Sequence, residues 1–200
     1  MTRARILQAA LMRFSGGDYS ETSLKDIAGD VGIKAPSIYA HFDNKQQLYI
    51  EVYERSIAEH REYFRALIAE TATSEPLERL KRLLLGVPDF YRERPQLFKL
   101  HLRTTLSHNL GRERGIAEAF QVWDTELSAT VSEAYLAGVS RGQLTSMPAE
   151  AFTSHFLALM DGLFLQKAYY SPAVYDAHVA QTWGALERLI APAAPTETPS

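Results

Sequence analysis

Gly32 stands between two short stretches of helical apolar spacing, and this pattern restricts the fold more than any other part of the chain. Leu24, Ile27, Ala28 and Val31 precede it at helical intervals, and Ile33, Ile38 and Phe42 follow. The spacing predicts a helix over about 23–30, a tight turn, and a short helix over about 35–41, which together make a helix-turn-helix. Ser23 with Asp26 three residues on fits a capping box, where a hydroxyl accepts from an orphan backbone N–H of the first turn. Pro36 suits the start of the second helix, because an N–H there has no helical partner. Gly32 permits the left-handed backbone that side chains resist.

The rest of the chain also reads as helix. Ile6, Leu7, Ala10, Leu11 and Phe14 mark a first helix that ends at Gly16 and Gly17. Residues 45–71 contain neither glycine nor proline, and Leu48, Val52, Ile57, Phe64 and Leu67 predict one long helix. Further helices are expected from Pro76, kinked or ended near Pro88, and over about 95–105 and 116–140. Two more should run from Ala149 to Tyr170 and from about Val174 to Ala191. No alternating strand pattern appears. The expected fold is all-α: an N-terminal three-helix helix-turn-helix domain (1–46), a C-terminal six-helix domain (47–191), and a Pro-rich tail (192–200) expected to be disordered.

Composition narrows the functions. The 200 residues hold no cysteine, which excludes disulfides, thiolate metal sites and cysteine nucleophiles and fits a cytoplasmic location. The net charge of −3 argues against wrapping nucleic acid with the whole surface. Residues 1–46 carry six Lys/Arg against five Asp/Glu, and the remainder fifteen against nineteen. Any DNA contact must therefore rest on a few placed groups. The most apolar run, 156–165, is broken by Asp161 and too short to span a bilayer. The basic start followed by apolar residues is interrupted by Gln8 and Arg13, so it reads as a helix rather than a leader. No paired-carboxylate, Ser–His–Asp or Gly-rich phosphate signature suggests an enzyme.

The second helix of a helix-turn-helix enters the major groove with its N-terminal residues toward base edges. Lys34, Ala35, Pro36, Ser37 and Ala40 are therefore the expected base readers. Ser23, Lys25, Tyr39, His41 and Lys45 are donors suited to phosphate, which fixes position and affinity rather than sequence choice. Tyr39 and Phe42 also fit a plain helical core.

From Ile6 to Tyr49 the chain resembles the DNA-binding domain of TetR-family transcriptional regulators. The resemblance rests on ILQAALMRF, the Thr22-Ser23 cap, Ile27-Ala28, Gly32-Ile33, Tyr39-x-His41-Phe42 and Lys45-x-x-Leu48. Pro36 stands where the family often has glycine, and Lys34 where it often has serine. The resemblance implies a homodimeric repressor, a palindromic double-stranded DNA operator, and a C-terminal domain for a small-molecule effector and dimerisation. It implies no cofactor and no membrane partner.

By that resemblance the last two long helices pair with their copies. Phe152, Phe156, Leu159, Leu163, Val179, Trp183, Leu186 and Ile190 are the expected interface, with filling of the chain's own core as the alternative. Tyr63, Phe64, Phe90, Phe98, His101, Thr105, Phe120, Trp123 and Met160 are the expected pocket lining for an apolar or aromatic effector, and each also suits core packing. His101 and His108 lie seven apart, yet no acidic residue stands near, and no metal is expected. Two other functions remain open: a DNA-binding protein without effector, and an all-helical enzyme or carrier.

Overall fold

The computed structural model describes residues 2–107, 109–110 and 113–192. Among them lie nine helices and no strand: α1 (Thr2–Gly16), α2 (Leu24–Val31), α3 (Pro36–Tyr39), α4 (Lys45–Glu70), α5 (Pro76–Arg92), α6 (Pro95–Leu106), α7 (Arg114–Ser140), α8 (Ala149–Gln166) and α9 (Pro172–Ile190). The expected boundaries hold because glycine and proline set most of them. Pro88 and the end of α8 are the exceptions: α5 runs through Pro88 to Arg92, and α8 stops at Gln166 rather than Tyr170, with residues 167–170 forming a turn. Residues 193–200 of the Pro-rich tail, and His108, lie outside the described residues. No described helix is long and apolar enough to cross a membrane.

The chain forms two compact units, Met1–Glu62 with Tyr91–Trp123, and Tyr63–Phe90 with Asp124–Ser200. In the first, Ile6, Ala10, Phe14, Ile27, Ala28, Ile38 and Phe42 share one apolar core with Leu48, Tyr49, Val52 and Tyr53 of α4 and Leu100 of α6. A division at residue 46 would fall inside this core. Apolar burial of this kind contributes roughly 1.5–3 kcal/mol per large side chain.

The helix-turn-helix owes its bend to Gly32, whose φ is +74°. The Gly32 N–H donates to Gly29 O (3.1 Å) and the Ile33 N–H to Ala28 O (3.0 Å), the paired bonds of a Schellman motif. Ser23 caps α2 by accepting from the Asp26 N–H at 3.1 Å. Arg13 of α1 grips Asp30 of α2 with two bonds of 2.5 and 2.6 Å, and Arg5 donates to Val31 O at 2.7 Å.

In the second unit, Tyr135 stacks on Phe152 with ring centres 4.0 Å apart. Its hydroxyl donates to Thr145 O (2.8 Å) and accepts from the Met147 N–H (2.8 Å), fixing the segment between α7 and α8. Gly138 allows close approach: a Cβ there would lie 2.4 Å from Leu144 Cδ1 and 3.1 Å from Pro76 Cβ.

Candidate nucleic-acid interface and a buried histidine cluster

Alternation around α3 decides what faces outward. Ile38 and Phe42 are buried, so the neighbouring Pro36, Ser37, Tyr39, Ala40 and His41 face solvent, as does Lys34 in the turn. Tyr39 is 59% exposed, large for a tyrosine that serves packing alone. Ala35 differs from the other expected base readers, because it is half-buried against the core.

The expected phosphate donors divide. Lys25, Tyr39 and His41 are exposed. Ser23 is half-buried, and its hydroxyl donates to Asp26 Oδ2 at 2.6 Å. This bond, with a second from the Ser23 backbone N–H, holds the Asp26 carboxyl below its usual range. Lys45 turns away from the exposed set: its ammonium donates to carbonyl oxygens of the turn between α1 and α2. Spacing alone does not reveal that inward turn.

The nine residues expected to line one pocket fall into both compact units. Tyr63 meets Phe64 and Phe90 in the second unit, at ring centroid distances of 5.4 and 5.3 Å. Met160 is buried in that unit. In the first unit, His101 and Trp123 join a cluster with His60, Tyr91 and Phe98. His60 meets Trp123 at 4.9 Å, and Tyr91 meets Phe98 at 5.7 Å. Thr105 and Phe120 face solvent, and Phe120 is 48% exposed.

Bond directions within this cluster fix the state of His101. Ser56 Oγ donates to Tyr53 O (2.6 Å), so it accepts from His101 Nε2–H (2.7 Å). The other ring nitrogen then accepts from the Tyr91 hydroxyl. Burial pushes the His101 pKa down to about 3. His60 also falls to about 3, through burial first and then the neighbouring His101 and Arg94. Of this cluster, residue type in the sequence points to His101, Phe98 and Trp123 but not to Ser56, His60 or Tyr91. Ser56 and His60 are four apart on α4, a spacing that puts them on one face. The described residues contain no group of three metal-ligating side chains.

The expected interface residues are also placed differently. Phe152, Phe156, Leu163, Val179, Trp183, Leu186 and Ile190 are all buried within the chain itself, and Leu159 is half-buried. Side chains already removed from water gain little from a partner. On α9 the exposed large apolar residues are Val174 (43%) and Leu189 (68%), with the exposed Ala185 on the same stripe.

The fold and the exposed α3 define an all-helical protein with an N-terminal helix-turn-helix. Residues 6–52 match the family model for bacterial regulatory proteins, tetR family. The match covers the helix-turn-helix and the start of α4, so it is the N-terminal segment of the chain that is similar to this family. It is 31% identical over 91 residues to the probable acrEF/envCD operon repressor of Escherichia coli K12, covering 43% of this chain and 39% of that protein. It thus spans about two fifths of the length of that curated relative. A TetR transcription regulator from Haloarcula marismortui superposes with a TM-score of 0.76 at 18% identity, covering 95% of this chain and 98% of that one. The regulator FadR from Bacillus subtilis, solved in complex with stearoyl-CoA, gives 0.72 at 16%, covering 92% and 97%.

Proposed function

We propose that the chain is a homodimeric repressor that binds a palindromic DNA operator and is released by a small apolar or aromatic effector. The observation that carries this reading is the exposed set of Lys25, Lys34, Pro36, Ser37, Tyr39, Ala40 and His41, mounted on a helix-turn-helix with a buried core. Lys25, Tyr39 and His41 supply phosphate contacts; Lys34, Ser37 and Ala40 face base edges, with Ala40 suited to a thymine methyl. The repressor named among the relatives favours negative control. The fatty acyl thioester named with the B. subtilis neighbour favours an effector with a large apolar part. Dimerisation uses the outward stripe of α9 with Val174, Ala185 and Leu189, in place of the buried set. The protein acts in the cytoplasm.

The test is selection of duplexes from a random-sequence pool by the full chain. The expected product is a palindrome whose half-sites lie about 34–36 Å apart or a multiple of that. Ser37→Ala should change the selected sequence, and Lys34→Ala should change it or lower the salt dependence. Binding with no sequence preference overturns the reading.

A further inference from the structure

Lys45 is the first residue of α4, and its side chain crosses to the turn that precedes the α2 cap. Its Nζ lies 2.7 Å from Tyr19 O, 3.0 Å from Thr22 O and 3.4 Å from Ser20 O. An ammonium has three donors, and each has a carbonyl here. The same Nζ sits 4.3 Å from the centre of the Tyr19 ring, which attracts a cation through its electron-rich face. That ring packs in turn on Tyr49 (5.1 Å) and Phe14 (5.9 Å).

The turn is held elsewhere as well. Thr22 N–H and Oγ1 both donate to Asp18 O, at 3.2 and 3.1 Å. Arg103 of α6 pairs with Asp18 at 3.2 Å. Thr22 directly precedes Ser23, so whatever fixes Thr22 fixes where α2 begins.

We infer that Lys45 is a positioning residue for DNA recognition and not a phosphate contact: its ammonium ties the start of α4 to the turn that sets the entry of α2. This inference rests on the DNA-binding reading above. Reaching a phosphate would require the ammonium to leave its carbonyls and the Tyr19 ring. The tie also makes the start of α4 and the start of α2 move as one piece.

The experiment compares the full-length wild type with Lys45→Met and Lys45→Arg in two measurements. The first is amide hydrogen exchange without DNA. Exchange at residues 19–24 should rise at least tenfold in both variants while α9 is unchanged, and unchanged exchange in the turn overturns the inference. The second is affinity for a duplex selected by the wild type from a random pool. Losing charge-assisted hydrogen bonds should weaken binding about tenfold or more. The slope of log affinity against log salt should stay at its wild-type value. A slope reduced by about 0.9 for each head in Lys45→Met would place Lys45 on a phosphate and overturn the inference. So would full recovery of affinity by Lys45→Arg, which keeps the charge but replaces the compact ammonium with a planar fork. If Lys45→Met does not fold, Lys45→Arg carries both measurements. If the wild type selects no duplex, it is the DNA-binding reading that fails, and the exchange measurement still decides whether Lys45 holds the turn.

Discussion

The Tyr91 hydroxyl lies 2.8 Å from Nδ1 of His101 and donates a hydrogen bond to it, keeping its own proton, so the ring is neutral with its single N–H on Nε2. Accepting a second proton there would break the bond and charge a buried ring.

Stability should therefore depend on acid. His60 and His101 bind protons near pH 3 in the folded chain and near 6.5 once unfolded. The unfolded chain binds more protons below about 6.5, so stability is complete above that pH and is lost as pH falls toward 3. The urea midpoint should be flat between pH 7 and 8 and fall steadily from pH 6 to 4.5. His101→Phe should flatten that fall, and an unchanged pH profile in this variant would count against the assignment.

Tyr49 and Thr104 form a second buried bond, 2.6 Å long. Thr104 Oγ1 donates to Leu100 O at 2.8 Å, so Tyr49 is the donor between the two. Tyr49→Phe should cost about 1 kcal/mol. Thr104→Val should cost more alone than in the Tyr49→Phe background, because alone it strands the tyrosine hydroxyl. Urea unfolding of the four proteins in the cycle measures the coupling.

Gly138→Ala should destabilise the second unit despite the higher helix propensity of alanine, worth about 1 kcal/mol. The new Cβ meets Leu144 at 2.4 Å, and such overpacking costs about 1–3 kcal/mol. Leu144→Ala opens that space. The double variant should be more stable than the sum of the single losses implies, as read from thermal and urea melts.

Trp183→Asp and Leu189→Asp should fail in different ways. Trp183 is 6% exposed, so a carboxylate there should unfold the chain. Leu189 is 68% exposed, so Leu189→Asp should keep its helix content and sediment as a monomer. A stable dimer of Leu189→Asp would move the proposed interface off this stripe of α9.

Helix positions were legible wherever a proline or glycine marked an end, as at Pro76, Pro95 and Gly142. The core of the helix-turn-helix was legible because Ile27, Val31, Ile38 and Phe42 repeat at intervals that only a helix brings to one side. The periodicity of α8 and α9 picked out the buried side chains. It carried no information on whether Trp183 is covered by its own chain or by another copy. The expected pocket joined rings by residue type, yet Tyr63, Phe64 and Phe90 cluster in one unit while His101 and Trp123 cluster in the other. Lys45 shows the same limit: its spacing from Tyr39 and His41 suits a phosphate contact, but a lysine stem is long enough to reach several targets.

The exposed helix α3 contains only four residues and has no side-chain cap. A single turn cannot sustain itself, because starting a helix costs more than one hydrogen bond returns. Its shape is borrowed from Ile38 and Phe42, seated beneath it among residues of α1, α2 and α4. The proposed reading of base sequence would thus be a property of the whole N-terminal core. On the proposed DNA-binding reading, heat or a core lesion that loosens Ile6 to Phe42 will silence recognition while α5, α7, α8 and α9 still give most of the helical spectrum, so a preparation that looks largely folded can already be deaf to DNA.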